Sequence, residues 1–244
     1  MKTIIRKNKL EVGEAAAELG AQLIRKAIRA KGHANIILAT GGSQIEMVDF
    51  LVNASGIDWS RVHAFHLDEY VGLPYSHPAS FRRFLWERIA SRLPRPLGSA
   101  HYINGEGDAQ AECRRVGALI RKHPIDVCFG GIGENGHLAF NDPPADFKTK
   151  VPYLVVDLDE ACRLQQVGEG WFKTLKQVPK QAISMSVHQV IKSAAIICPV
   201  PDRRKAQAVK DCLTGPVTPL HPSSILQTHP QAFIFLDKAS ASLL

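Results

Sequence analysis

Apolar side chains recur along much of this chain at the three- and four-residue spacing that is typical of amphipathic helices. The longest such stretch stops just before Gly32, a residue type that commonly ends a helix. The spacing predicts helices at Val12–Ala30, Ile45–Val52, His77–Arg92 and Asp108–Arg121, one from Asp202 to about Leu213, and a short one within PSSILQTHPQ.

Short apolar runs alternate with these helices. Asn35–Ala39 (NIILA) is apolar almost throughout, as expected of a strand covered on both faces. Further strands are predicted at Val62–Leu67, Asp126–Phe129, Val151–Asp157, Ala182–Val187, Ala194–Pro199 and Ala232–Leu236. The alternation predicts an α/β fold: a single, doubly wound, Rossmann-like domain over residues 1–244, with a mostly parallel central sheet and helices on both faces.

A small polar loop, Thr40-Gly41-Gly42-Ser43, joins the first of these strands to a helix. Such an arrangement can cradle phosphate, because free backbone N–H groups and the positive end of the helix dipole point to one place. An ordinary strand-to-helix connection is the alternative. The loop lacks the Walker lysine and the full dinucleotide glycine pattern, so no nucleotide cofactor follows from it.

Paired acids, Asp68 and Glu69, follow the next predicted strand. The end of a strand is a suitable place for a catalytic acid or base, and because neighbouring residues of an extended chain point to opposite sides, only one of the two should face a ligand. The alternative is structural: one carboxylate caps the following helix and the other is solvated.

The loop after the strand Asp126–Phe129 is rich in glycine and contains His137 and Asp142. Histidine is the residue type that exchanges protons near neutral pH, and Asp142 could orient its imidazole if the loop folds back. A structural turn with a solvated histidine explains the same residues equally well.

The composition of the chain limits the classes of ligand and the cellular location that can be expected. The 244 residues carry a formal net charge of +7 that is not clustered, which makes a small phosphorylated ligand at least as good a candidate as nucleic acid. Five dispersed cysteines predict neither a disulfide framework nor a zinc site, and suit a reducing cytoplasm. No secretory signal or membrane span is predicted. The oligomeric state stays open, a homo-oligomer included.

With TGGS, FHLDEYVGLPYSHPASF and GGIGENGHLAFNDP in this order, the chain resembles the glucosamine-6-phosphate deaminase (isomerase) family, within the group that includes 6-phosphogluconolactonases and ribose-5-phosphate isomerases. The resemblance implies that an amino sugar phosphate is ring-opened, isomerised through an enolamine and hydrolysed to fructose 6-phosphate and ammonia. It implies neither a metal nor an organic cofactor, and a sugar phosphate as the small-molecule partner.

The resemblance also implies residue roles. Asp68 is the base that moves a proton between C2 and C1, and His137 opens the pyranose ring. Two positions depart from the family: Asp142 stands where glutamate is usual, and Asn135 where many members have aspartate. An amide cannot supply negative charge to a histidine, so the orienting role is expected of Asp142 or of backbone.

The phosphate is expected to bind the Thr40–Ser43 loop, Gly133 and Lys205, which matches the family's phosphate-binding lysine. The family often has an arginine before a paired aromatic, where this chain has Gly170-Trp171-Phe172. Arg163 could replace it, because a guanidinium can grip phosphate bidentately.

Three alternative functions stay open. A 6-phosphogluconolactonase would use the same scaffold for ester hydrolysis, although its motifs usually read DER and HxAS rather than DEY and HLAF. A non-catalytic sugar-phosphate sensor is the second, and a deaminase for an epimer such as galactosamine 6-phosphate is the third.

Overall fold

The computed structural model describes residues 1–244 and has a seven-stranded, wholly parallel sheet as its centre. From one edge to the other the strands are β1 (Lys2–Arg6), β10 (Ala232–Asp237), β9 (Ala195–Val200), β6 (Val127–Phe129), β2 (Ala34–Leu38), β3 (Val62–His66) and β5 (Ser99–His101). The predicted doubly wound α/β fold is confirmed.

Seven α-helices surround the sheets. They are α1 (Lys9–Lys31), α2 (Ile45–Val52), α3 (Phe81–Arg88), α4 (Ala109–Ile120), α5 (Glu160–Gly168), α6 (Val187–Ile191) and α7 (Ala206–Thr214). The long α1 begins where the Asn8 side chain accepts a hydrogen bond from the Glu11 N–H, and it ends at Gly32 in the left-handed conformation (φ 84°) that glycine adopts without strain. None of the helices is long and apolar enough to cross a bilayer.

The buried strands divide the core between the two faces of the sheet. Alternate residues of β2 point to opposite sides, so Ile36 joins a cluster with α1, α2 and α3, while Ile37 joins a cluster with α4, α6 and α7. All five β2 residues are buried. This two-sided burial explains why the strand is apolar at successive positions.

The strand order reverses between β2 and β6. After β2 the chain proceeds outward through β3 and β5, then returns to β6 on the other side of β2 and continues outward through β9 to β10, which pairs with the N-terminal strand β1 at the far edge. In open α/β sheets such a reversal opens a crevice beyond the carboxyl ends of the two strands, where ligands bind. The Thr40–Ser43 loop follows β2, and the loop containing His137 follows β6, so both border this crevice.

A second, three-stranded antiparallel sheet stands beside the first. It consists of β4 (Asp68–Tyr70), β8 (Gln181–Met185) and β7 (Tyr153–Asp157), in the order β4-β8-β7. β4 continues from β3 after the single residue Leu67. A third apolar cluster, which includes Tyr70, Phe81, Phe140 and Phe172, packs between this sheet and α5.

The structure differs from the sequence prediction at several elements. The helix expected from His77 begins at Phe81, because Ser80 accepts a hydrogen bond from the Arg83 N–H and caps it, and it ends at Arg88 with a short 3-10 turn after it. The short strands β1, β4 and β5 and the helices α5 and α6 were not predicted, and Val187, expected at the end of a strand, begins α6. His229 is buried, and its Nε2 donates a hydrogen bond to the Ser193 carbonyl.

Candidate active site

One pocket, with about 540 Å³ of empty volume that is partly open to solvent, lies in the crevice between β2 and β6. It is lined by the loop after β2, by Asp68 at the start of β4, by the loop after β6, by α5 and by Lys205. Of the residues predicted for the site, the lining includes Thr40, Gly41, Gly42, Ser43, Asp68, Gly133, His137 and Lys205.

The paired acids of β4 face in different directions. Asp68 lines the pocket, whereas the Glu69 carboxylate accepts hydrogen bonds from the N–H groups of Phe81 (3.2 Å) and Arg82 (2.7 Å) and from the Ser80 hydroxyl (3.1 Å). Glu69 therefore holds the start of α3, where unpaired N–H groups favour a carboxylate. The alternation of side chains along β4 leaves Asp68 available for chemistry.

Asp68 is buried and makes no hydrogen bond through its side chain to the rest of the protein. Burial, and to a smaller extent the nearby charge of Glu69, raise the pKa of Asp68 from 3.8 to about 8. A carboxylate with such a pKa takes up a proton readily near neutral pH, which is the property required of a general base. The ligand-free protein therefore holds Asp68 mostly protonated at pH 7.

The loop after β6 folds back so that Asp142 meets His137. Asp142 Oδ1 lies 3.2 Å from His137 Nδ1, and both side chains are largely buried. Burial works to raise the pKa of Asp142, but the hydrogen bond and charge of His137, with the Asp159 N–H and the Asn135 amide, lower it overall. Aspartate reaches His137 here although its side chain is one methylene shorter than glutamate. His137 itself lines the pocket.

Asn135 connects the same loop to a second carboxylate. Its amide nitrogen donates to Asp142 Oδ1 (3.1 Å) and to Asp159 Oδ2 (3.0 Å), and its Oδ1 accepts from the His137 N–H (3.1 Å). The Asp159 N–H in turn donates to Asp142 Oδ2 at 3.0 Å. An aspartate at position 135 would bring a third carboxylate to this place and remove both donations. The amide thus suits the two acids that surround it.

Gly133 leaves the space that the His137 imidazole occupies. A Cβ at this position would overlap the His137 ring at Cε1 and at both ring nitrogens. Such an overlap is prohibitive, so any larger residue would push the ring out of position. The glycine is required by the packing of the histidine, independently of any role in binding a ligand.

On the other side of the pocket, the Thr40–Ser43 loop and Lys205 form a positive region. Gly41 has φ 97°, and residues Gly42–Gln44 form a 3-10 turn that leads into α2. Lys205 ends a similar turn before α7, and only 5% of its surface is exposed. Its ammonium group has no carboxylate within 4.0 Å and no hydrogen bond to the protein. Burial lowers the pKa of Lys205, which an anionic ligand would oppose.

The structure does not bring Arg163 to the pocket. The residue lies in α5, not in a turn, and its Nη2 donates to the carbonyls of Leu175 (2.7 Å) and Val178 (3.1 Å). Its guanidinium holds the chain after Phe172 instead of a phosphate. A place in the pocket wall is taken by another residue of the same segment, Glu169.

Four polar lining side chains were not predicted from the sequence: Gln44, Gln165, Gln166 and Glu169. Gln44 directly follows the Thr40–Ser43 loop and could have been included with it. The other three lie in or beside α5, whose position over the pocket is a tertiary feature that the local sequence does not reveal.

The atoms His137 N, Asp142 O and Cys162 S lie within 4.8 Å of one another, a spacing that metal ligands also have. Metal ligation would require the Cys162 thiolate, and burial together with the charges of Asp142 and Asp159 raises the pKa of this thiol. The donor set therefore favours an acid–base pair of His137 and Asp142 over a metal centre.

Comparison with known proteins agrees with this geometry. The family model of glucosamine-6-phosphate isomerases/6-phosphogluconolactonase matches residues 7–234. A glucosamine-6-phosphate deaminase from Oenococcus oeni is 34% identical over 100% of this chain and 99% of its own length. One from Streptococcus equi subsp. equi is 36% identical over the full length of both chains.

Solved structures lead to the same family. A monomeric glucosamine-6-phosphate deaminase superposes with a TM-score of 0.92 at 29% identity, over 100% of both chains. A 6-phosphogluconolactonase from Thermotoga maritima has a TM-score of 0.79 at 17% identity, over 97% of this chain and 98% of the other, and so shares the fold. The chain therefore belongs to the glucosamine-6-phosphate isomerase/6-phosphogluconolactonase family.

Proposed function

We propose that this protein isomerises and deaminates glucosamine 6-phosphate, or a close hexosamine 6-phosphate, to fructose 6-phosphate and ammonia. The observation that carries the proposal is that Asp68, a buried carboxyl group with a raised pKa, faces the same pocket as the His137–Asp142 pair. Ester hydrolysis by a lactonase needs a histidine to activate water but has no use for a base at a C2 carbon. The full-length similarity to deaminases supports the same choice.

In the proposed reaction, His137 transfers the proton that opens the pyranose ring and Asp142 orients its imidazole. Asp68 then removes the proton from C2, which gives an enolamine, and returns a proton to C1. The resulting ketimine at C2 is hydrolysed by water, which releases ammonia. Proton transfer by placed groups of this kind typically contributes ~10²–10⁴ in rate.

The substrate helps to activate its own base. Free glucosamine 6-phosphate carries an ammonium group on C2, next to the proton that Asp68 removes. A positive charge close to a carboxyl group favours its ionised form, so binding should lower the pKa of Asp68 from its value of about 8 in the free protein. The base is thereby ionised when the substrate is in place.

The phosphate group is assigned to the loop Thr40–Ser43 and to Lys205, which lie on the same side of the pocket. The buried ammonium of Lys205 lacks a protein partner, and a dianion would supply one. Arg163 has no part in this site, because its guanidinium is engaged by backbone carbonyls.

We further propose that residues 1–244 act as one domain, because the pocket is lined by loops of the central sheet and by Asp68 of the small sheet. Five free, buried cysteines support a location in a reducing compartment such as the cytoplasm.

A side-by-side assay tests the proposed function. The protein is incubated with glucosamine 6-phosphate and, separately, with 6-phosphogluconolactone, and the release of ammonia and of acid is measured. We expect ammonia from the first and no catalysed acid release from the second. Acid release alone would establish a lactonase, and tight binding of a sugar phosphate without turnover of either would establish a sensor.

A further inference from the structure

A carboxylate lies where the proposed function requires an anion to bind. Glu169 lines the pocket beside the Thr40–Ser43 loop, and its Oε2 accepts a hydrogen bond of 3.4 Å from the Gly42 N–H. The same oxygen would lie 3.9 Å from a Cβ added at Gly41 and 3.6 Å from one added at Gly42, so it sits close to the backbone of both glycines. The backbone that would cradle a phosphate is thus already in contact with a negative charge.

Other contacts hold Glu169 in this position. Its Oε1 accepts from the Gln165 amide at 2.7 Å, and its Oε2 accepts from the Trp171 indole N–H at 3.1 Å. These partners belong to α5 and to the residues directly after it, so they can move together with Glu169. Gly170 lies between Glu169 and Trp171 and has φ 82°. A Cβ added at Gly170 would have no other atom within 4 Å.

Glu169 lies near a lysine that has no salt-bridge partner, an arrangement that suits a carboxylate that an anionic ligand can replace. Lys205 lies in the same part of the pocket as Glu169, beside Gly42 and Ser43. No carboxylate lies within 4.0 Å of its ammonium group, so it forms no ion pair. Arg204, on the same turn, is paired with Asp202 (3.1 Å) and with Glu134 (3.5 Å) instead. Glu169 therefore lies near Lys205 without forming a salt bridge that a ligand would have to break.

We propose that Glu169 is a specificity-determining residue of the phosphate site: its carboxylate holds the anion position of the Thr40–Ser43 loop in the free protein, and a phosphate group must displace it to bind. This inference rests on the proposed function for the identity of the ligand. Displacement breaks the hydrogen bond from Gly42 and releases the Trp171 indole from Glu169. A ligand that lacks a phosphate cannot provide the compensating contacts with Lys205, and it leaves Glu169 in place.

The test uses inorganic phosphate as the probe, so that it does not depend on turnover. Its dissociation constant is measured by calorimetry with the wild type, Glu169→Gln and the control Glu134→Gln, which removes an identical charge from a carboxylate that contacts Arg204 but does not line the pocket. We expect Glu169→Gln to bind phosphate about tenfold more tightly, because a like charge next to the dianion is lost. Glu134→Gln should stay within about threefold of the wild type, because its carboxylate is already paired with Arg204 (3.5 Å) and does not line the pocket.

Fluorescence adds a readout of displacement. Phosphate should change the Trp171 emission of the wild type, and this change should disappear in Trp171→Phe. Unchanged or weaker phosphate binding by Glu169→Gln would overturn the inference. A variant that loses affinity for glucosamine 6-phosphate but binds phosphate as the wild type does would also overturn it, because Glu169 would then be a ligand of the amino group. If the wild type releases no ammonia from glucosamine 6-phosphate, but Glu169→Gln binds phosphate more tightly than the wild type, the proposed function is refuted and the inference about Glu169 stands.

Discussion

Replacing Asp68 by asparagine should make the protein more stable, and increasingly so as the pH rises. The substitution preserves the shape of a side chain that is buried and makes no hydrogen bond to the protein. The pKa of this carboxyl is raised from 3.8 to about 8 in the folded protein. Between these two values the folded chain keeps a proton that the unfolded chain has lost, so this group makes the free energy of unfolding fall as the pH increases.

The magnitude follows from the size of the pKa difference. Each pH unit between the two pKa values costs about 1.4 kcal/mol, so the penalty from Asp68 grows by about 4 kcal/mol between pH 5 and pH 8. Water in the open pocket screens the charge and makes this an upper limit. Above pH 8 both states have lost the proton, and the penalty no longer grows. Asparagine does not titrate, so the variant lacks the penalty at every pH.

The assay is urea unfolding of the wild type and Asp68→Asn at pH 5, 6, 7 and 8. Every other titrating group is common to both proteins and cancels in the difference, and any cost of burying the amide adds a constant offset. The stability difference in favour of the variant should therefore widen steadily with pH. A difference that stays constant from pH 5 to pH 8 would show that Asp68 titrates at its ordinary pKa, and would refute the reasoning.

Three further substitutions test other parts of the site. Asn135→Asp should reduce the rate of ammonia release by about tenfold or more and lower the melting temperature, because it removes the hydrogen bonds to Asp142 and Asp159 and adds a like charge; wild-type kinetics in this variant would speak against the amide's role. Gly133→Ala should lower kcat much more than it changes phosphate binding, because its Cβ would displace the His137 ring; an unchanged kcat would mean that the ring tolerates the shift. Lys205→Ala should raise KM chiefly for phosphorylated sugars, and an equal loss on a non-phosphorylated analogue would remove Lys205 from the phosphate site.

Much of the fold was predictable because its signals are local. The buried strands β2, β9 and β10 are largely apolar runs, and α1 has both a clear spacing and a terminal glycine. Parallel strands end at one edge of the sheet, so the loops that follow β2 and β6 could be expected to meet. The short strands β1 and β5 escaped because each is only partly buried and lies at an edge of the sheet.

The candidate site was predictable to the extent that its residues stand directly at strand ends. Asp68, His137 and the Thr40–Ser43 loop are of this kind, and they line one pocket. Glu169 is not, because it enters the pocket from α5, whose packing depends on an apolar cluster formed by distant residues. The sequence likewise revealed Asn135 only as a departure from the family, since the carboxylates that it bonds lie 7 and 24 positions away.

Proton transfer by Asp68 is tested most directly by following hydrogen from the solvent into the sugar. In heavy water, the wild type should exchange the C2 hydrogen of glucosamine 6-phosphate for deuterium, as measured by NMR. Asp68→Asn should lose this exchange by ~10²–10⁴-fold while it still binds inorganic phosphate with an affinity close to that of the wild type. Exchange at the wild-type rate in Asp68→Asn would contradict the assignment of Asp68 as the base.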